Sequence, residues 1–190
     1  MEFAADFHIH SKYSRATSES MKIKELSRWA KIKGISVLGT GDFTHPLWYS
    51  ELKSELKETK GGLYEHNGVN FILTVEVFNN FYVEGKSKRI HNIIFTPDIA
   101  TAEKITGKIG EYGDLFSDGR PILNLSARDL VRICLDISPD CFIVPAHAWT
   151  PHFSIFGSNS GFNSVEECFK DEAKNIFCLE TGLSSDPAMN

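Results

Sequence analysis

Short apolar runs alternate with stretches of helical periodicity along this chain, and each run carries a histidine or a carboxylate within it or just after it. The runs Phe3–His8, Ile35–Thr40, Asn70–Phe78, Arg89–Thr96, Phe142–Ala146 and Ile176–Glu180 read as strands. Met21–Lys33 reads as a helix, with Ile23, Leu26, Trp29, Ala30 and Ile32 on one stripe and Gly34 as its stop. Further helices are expected from Pro46 to about Lys57, from Asp98 to about Tyr112 and from Ser164 to about Lys174. Ser126 and Asp129 form an S-x-x-D capping signal for another, ending near Ile137. A turn is expected around Gly85. Strand–helix alternation of this kind predicts an α/β fold with a mostly parallel sheet. If such a sheet curls into a barrel, its site lies where the strands end.

The polar residues fall at those ends. In Asp6-Phe7-His8-Ile9-His10, the period of two puts both imidazoles and Asp6 on one face, a chelate for a transition metal. An H-x-H is also a common surface pattern; what favours a ligand pair is the carboxylate before it and Ser11-Lys12-Tyr13-Ser14-Arg15 after it. Gly39-Thr40-Gly41-Asp42-Phe43-Thr44-His45 is a glycine-containing strand exit. Asp42 serves there either as a turn or cap residue before Pro46 or as a ligand; His45 is the better ligand candidate of the two, imidazole being the commoner zinc donor. Glu76 interrupts an apolar strand, where an unpaired carboxylate is costly, and a glutamate can bridge two cations. His91, within Arg89–Phe95, has a core histidine as its plain alternative. His147 follows a buried-looking strand and is the stronger candidate. His152 reads as a substrate or surface residue, and His66 as solvent-facing.

Composition narrows the classes. A chain of 190 residues with 42% hydrophobic and 24% charged residues suits one globular domain. The net charge of −5 argues against a uniformly basic nucleic-acid coat but not against a local basic groove or phosphate-neutralising metals. No run approaches the ~18 apolar residues of a membrane span, and the start lacks signal-peptide regions, so a cytoplasmic setting is expected. Cys134, Cys141, Cys168 and Cys178 form no C-x-x-C pair, so His and carboxylates, not thiolates, are the expected ligands. G-x-S-x-G, G-x-x-x-x-G-K-[ST] and G-x-G-x-x-G are absent, as are internal repeats.

With these residues in place, the chain resembles the PHP (polymerase and histidinol phosphatase) superfamily. The opening D-x-H-x-H of that family matches Asp6, His8 and His10. Its T-D-H motif corresponds to Gly41-Asp42-Phe43, with the histidine displaced to His45, which leaves open whether Asp42 or His45 is the ligand. Its glutamate motif matches Glu76, and its two later histidine motifs match His91 and His147. The stretches His8–Thr17 and Gly39–Pro46 are similar to the N-terminal domain of endonuclease Q-like proteins, which nick DNA beside deaminated bases or abasic sites.

The resemblance implies a distorted (β/α)7 barrel holding two or three divalent metals (zinc, manganese or iron, with magnesium possible) and hydrolysing phosphoesters. It implies that His8, His10 and Glu76 hold one ion and Glu76, His91 and His147 a second, with Asp42 or His45 nearby. Lys12, Arg15, His152 and the Arg89 region are the expected substrate contacts. The family's closing D-x-H follows a segment like Glu180–Asn190 and is not found in this sequence. A single domain over 1–190, cut before its last strand and continuing into a longer protein, is therefore expected, and the fragment's activity is in question. The leading expectation is a metal-dependent endonuclease acting on damaged DNA. Its alternatives are a small-molecule phosphatase of the histidinol phosphatase type and a non-catalytic DNA-binding scaffold.

Overall fold

The structure is a computed structural model that describes residues 2–159 and 161–181. Its strands are β1 (Ala4–Asp6), β2 (Ile35–Gly39), β3 (Lys57–Glu58), β4 (Tyr64–His66), β5 (Val69–Val83), β6 (Lys86–Thr96), β7 (Ile122–Leu123) and β8 (Phe142–Pro145). Its helices are α1 (Ile23–Lys33), α2 (Pro46–Glu55), α3 (Ile99–Ile109), α4 (Ala127–Ile137) and α5 (Val165–Phe169). The sheet curls into a half barrel.

The 15-residue β5 is the spine. Its first residues pair in parallel with β2 and antiparallel with β4. The rest pairs antiparallel with β6 from Leu73 to Val83, and Phe78 and Asn79 pair in parallel with β7. Period-two alternation along β5 sorts its side chains. Phe71, Leu73, Val75 and Val77 join a large core with Ile23, Leu26 and Ala30 of α1, Trp48 and Leu52 of α2, Ile105 of α3 and Leu130 of α4. Thr74 and Glu76 lie on the opposite, concave face. On that face, among the described residues, Ile93, Val144 and Ala146 form a small separate apolar cluster, with Phe95 and Phe142 against it. That leaves the concavity open for polar side chains.

Helix starts follow local chemistry. Asp98, Ser126 and Ser164 each cap a helix by accepting from the backbone N–H three residues on, and Ser126 Oγ also donates to Asp129 Oδ2 at 2.7 Å. Pro46 opens α2 at the first turn, where a missing N–H costs nothing.

Three expectations are corrected. The sheet is mixed rather than mostly parallel, because β5 and β6 form a hairpin about a two-residue turn, Glu84-Gly85, with both residues at positive φ. The helix expected to reach Lys174 stops at Phe169: Lys170 takes φ 54, and the chain continues as a 3-10 turn to Asn175. No strand forms over 176–180, although Glu180 N–H donates to Pro145 O at 3.0 Å and Glu180 O accepts from Ala148 N–H at 2.8 Å, so this segment lies along β8. The short β3, β4 and β7 were not foreseen. The sequence segment expected to precede a closing D-x-H lies, from residue 182 on, outside the described residues.

The Gly39-x-Gly41 exit of β2 is explained by close approach. A Cβ on Gly39 would sit 2.4 Å from Phe7 O and 2.5 Å from Thr74 Oγ1; one on Gly41 would sit 2.3 Å from Ile9 O. The β1 exit carrying His8 and His10 is thus packed directly on the β2 exit carrying Asp42. Gly39→Ala is expected to destabilise the fold by about 1–3 kcal/mol, as overpacking against backbone does, read as a lowered denaturation midpoint in urea; an unchanged midpoint contradicts this packing.

Candidate metal centre

Glu76 sits at the middle of the concave face with its side chain 2% exposed, and four imidazoles surround it. His91 Nδ1 lies 2.7 Å, His147 Nε2 3.2 Å and His8 Nε2 3.4 Å from its Oε1; His10 Nε2 lies 3.2 Å from its Oε2. Arg120 Nη1 donates to the same Oε2 at 3.3 Å. These positions follow from the register. Glu76 pairs with Ile93 and Phe78 with His91, so His91 is the diagonal neighbour of Glu76 on the same face. Val144 and Ala146 share that face, so a continued β8 would point His147 the other way. Instead His147 adopts φ 32 and turns back to Glu76. Asp42 is also left-handed, at φ 50. Such backbone strain at two polar strand exits is characteristic of functional sites.

The outer nitrogens are engaged. His8 Nδ1 lies 2.9 Å from both oxygens of Glu180, whose Oε2 also accepts the His147 backbone N–H at 2.7 Å. His10 Nδ1 lies 3.1 Å from Asp42 Oδ1, while Asp42 Oδ2 accepts from Ser11 N–H and Oγ at 2.7 Å and from Ser14 Oγ at 2.9 Å. His147 Nδ1 is 3.0 Å from Thr150 Oγ1. Three histidines therefore have one ring nitrogen held by an oxygen while the other faces Glu76, the arrangement that orients imidazoles toward a metal. The fourth, His91, has its Nδ1 buried near Glu76 Oε1 without an aligned hydrogen bond. Two donor groups emerge with their ligand atoms within 4.8 Å of one another: His8, His10 and Glu76, and Glu76, His91 and His147. A set of nitrogen donors around one shared carboxylate fits transition metals better than magnesium.

The other sequence candidates are dispersed. His45, favoured above over Asp42, is not brought to the cluster. Its Nε2 is 2.9 Å from Phe116 O, and its ring stacks on Tyr13 at 4.3 Å because it stands just before α2, on the far side of the β2 exit. Asp42 reaches the cluster only behind His10. Asp6 is exposed and accepts the His8 backbone N–H at 3.3 Å. Lys12 pairs with Glu51 at 2.9 Å and exposed Arg15 with Asp118 at 3.3 Å. His152 is exposed, 3.1 Å from Asn159 Nδ2; Arg89 is exposed on β6. His66 is half-buried rather than solvent-facing, its Nδ1 2.8 Å from Ser27 Oγ. Sequence reasoning missed Glu180 as a partner of two histidines, although it stood at the end of an apolar run, and it missed Arg120 entirely.

Burial disfavours the charged form of His8 and His10, but hydrogen bonds to Glu180 and Glu76, and to Asp42 and Glu76, outweigh it, lifting His8 to about 10 and His10 to about 9. Burial alone would raise Glu76; its four histidines hold it well below the usual carboxylate range. Burial dominates at His91 and lowers it. Without metal, protonated His8 and His10 neutralise the carboxylates. A raised folded pKa contributes stability fully present below the ordinary histidine value of 6.5 and lost as pH rises through about 9 to 10. Chelator-treated protein is expected to lose thermal stability across that window, while protein saturated with a divalent metal, which needs deprotonated imidazoles, gains relative to it. A melting temperature of the chelated protein that climbs across the window contradicts this assignment.

No protein-family model matches the chain. An uncharacterized protein of Methanocaldococcus jannaschii is 30% identical over 161 residues, covering 84% of this chain and 18% of that protein. The uncharacterized YqxK of Bacillus subtilis is 26% identical, covering 97% of this chain and 49% of its own length. The chain thus spans half or less of these relatives. Among solved structures, the lesion-specific endonuclease Q of Pyrococcus furiosus superposes with a TM-score of 0.85 at 34% identity, over 98% of this chain and 44% of that one. Endonuclease Q in complex with a duplex bearing an abasic lesion at its active site gives 0.84 at 35%, over 97% and 44%. A Bifidobacterium adolescentis protein assigned as a metal-dependent phosphoesterase shares the fold, with a TM-score of 0.60 at 13% identity over 94% of this chain and 77% of that one. In sequence and in fold the chain is similar to endonuclease Q, and in fold to a metal-dependent phosphoesterase.

Proposed function

We propose that this chain is the phosphoester-hydrolysing part of a DNA-repair endonuclease that cuts at deaminated or abasic sites. The observation that carries the reading is the convergence of four imidazoles on one buried carboxylate, in a fold shared with endonuclease Q. In this reading His8, His10 and Glu76 hold one divalent ion, and Glu76, His91 and His147 a second. Bound zinc, manganese or iron supplies Lewis-acid activation of the phosphoryl group and a water nucleophile at neutral pH. Glu180 and Asp42 fix the ring orientations of His8 and His10, and Thr150 that of His147, so that each presents its Nε2 to the site. The partner is duplex DNA. Lys12, Arg15 and His152 are rim contacts that give up Glu51, Asp118 or Asn159 when they meet phosphate.

We further read residues 1–190 as one domain of a longer protein working in the cytoplasm; no helix among the described residues is long and apolar enough to cross a membrane.

Metal-loaded protein is expected to nick a duplex containing an abasic site, uracil or hypoxanthine and to leave the undamaged duplex intact. Glu76→Gln and His10→Ala are each expected to lower the rate by at least about 100-fold with parallel loss of bound metal. Hydrolysis of a small phosphomonoester with no cleavage of any damaged duplex would support the phosphatase alternative instead.

A further inference from the structure

The cation nearest the cluster is not one that the sequence singled out. Arg120 Nη1 lies 3.3 Å from Glu76 Oε2, and among the described residues this carboxylate is its one ion-pair partner. Its side chain is 36% exposed, so the guanidinium spans the boundary between the cluster and solvent. Its backbone is fixed from both sides. Gly119 N–H donates to Tyr13 O at 3.0 Å, Arg120 N–H to Asp118 Oδ1 at 3.1 Å, and Pro121 O accepts from Phe78 N–H at 2.9 Å. Gly119 lies so close to the site that a Cβ there would be 2.3 Å from Asp42 Oδ2 and 2.5 Å from Ser14 Oγ. The 119–121 segment is therefore seated on the residues behind His10, and Arg120 is delivered to Glu76 rather than meeting it by chance.

A guanidinium in this place has a consequence for a loaded site. Glu76 is the shared carboxylate of both donor groups. Once its charge is spent on dications, the attraction holding Arg120 becomes repulsion between like charges at short range. A cation stays beside such a centre when an anion lies between them, and the planar fork of arginine matches a phosphate with two parallel hydrogen bonds. Lys12 and Arg15 are less suited, being paired with Glu51 and Asp118 outside the donor groups.

We propose that Arg120 is a substrate-binding residue that clamps the scissile phosphate from the solvent side of the cluster, moving from Glu76 to the phosphate when the metals are bound. This inference rests on the phosphoesterase reading above but not on DNA being the substrate. Its test is calorimetric titration of inorganic phosphate into metal-loaded wild-type, Arg120→Lys and Arg120→Ala proteins, with metal content measured on the same samples. The expected result is wild-type metal content in both variants, phosphate affinity about 10- to 100-fold weaker in Arg120→Ala, and partial recovery in Arg120→Lys. On a cleavable duplex the same loss is expected in KM more than in kcat. Unchanged phosphate affinity in a fully loaded Arg120→Ala protein overturns the proposal. So does loss of metal in both variants, since Arg120 would then serve only to hold Glu76. If wild type cuts no damaged duplex but still binds phosphate through Arg120, the DNA reading fails and the clamp stands.

Discussion

A carboxylate buried on the inner face of a curled sheet is the constraint on which this structure turns. Glu76 replaces what would be an apolar residue in the middle of β5, and an uncompensated charge there would cost several kcal/mol. The fold compensates it with four imidazoles and a guanidinium from four other segments of chain. His8, His10 and His147 approach from strand exits, His91 from within β6 and Arg120 from a loop. The compensation is also the chemistry: an arrangement that satisfies one buried anion with nitrogen donors also offers ligand groups for divalent metal.

The supporting layer matters as much as the donors. Glu180 ties His8 and the His147 backbone together, and Asp42 is locked by Ser11 and Ser14 before it reaches His10. The left-handed backbone at Asp42 and His147 is tolerated because these contacts over-determine it. The Gly39-x-Gly41 exit lets the β1 and β2 ends lie close enough for the His10–Asp42 contact to exist.

Much of this was legible in the sequence where the chemistry is local. His8-x-His10 follows a strand, Glu76 interrupts an apolar run, and the ends of the strands were recognisable by period and composition. What depends on long-range contact was not. The ligand preference for His45 over Asp42 failed because ring chemistry was weighed without knowing that His45 begins a helix and stacks on Tyr13. The position of Arg120 is set by Gly119 packing on Asp42, about eighty residues away in sequence, and has no local signature. The turn around Gly85 between the β5 and β6 runs was expected, but the mixed stretch Asn79-Asn80-Phe81-Tyr82 hid that both strands run on to it and pair antiparallel, so the sheet was read as mostly parallel.

The central claim, that Glu76 is shared by two metal sites, is tested most directly by anomalous diffraction from crystals grown with manganese or zinc and collected at the metal edge. The account predicts two peaks flanking the Glu76 carboxylate, one beside His8 and His10 and the other beside His91 and His147. A single peak away from Glu76, or no peak among these residues at saturating metal, would contradict it.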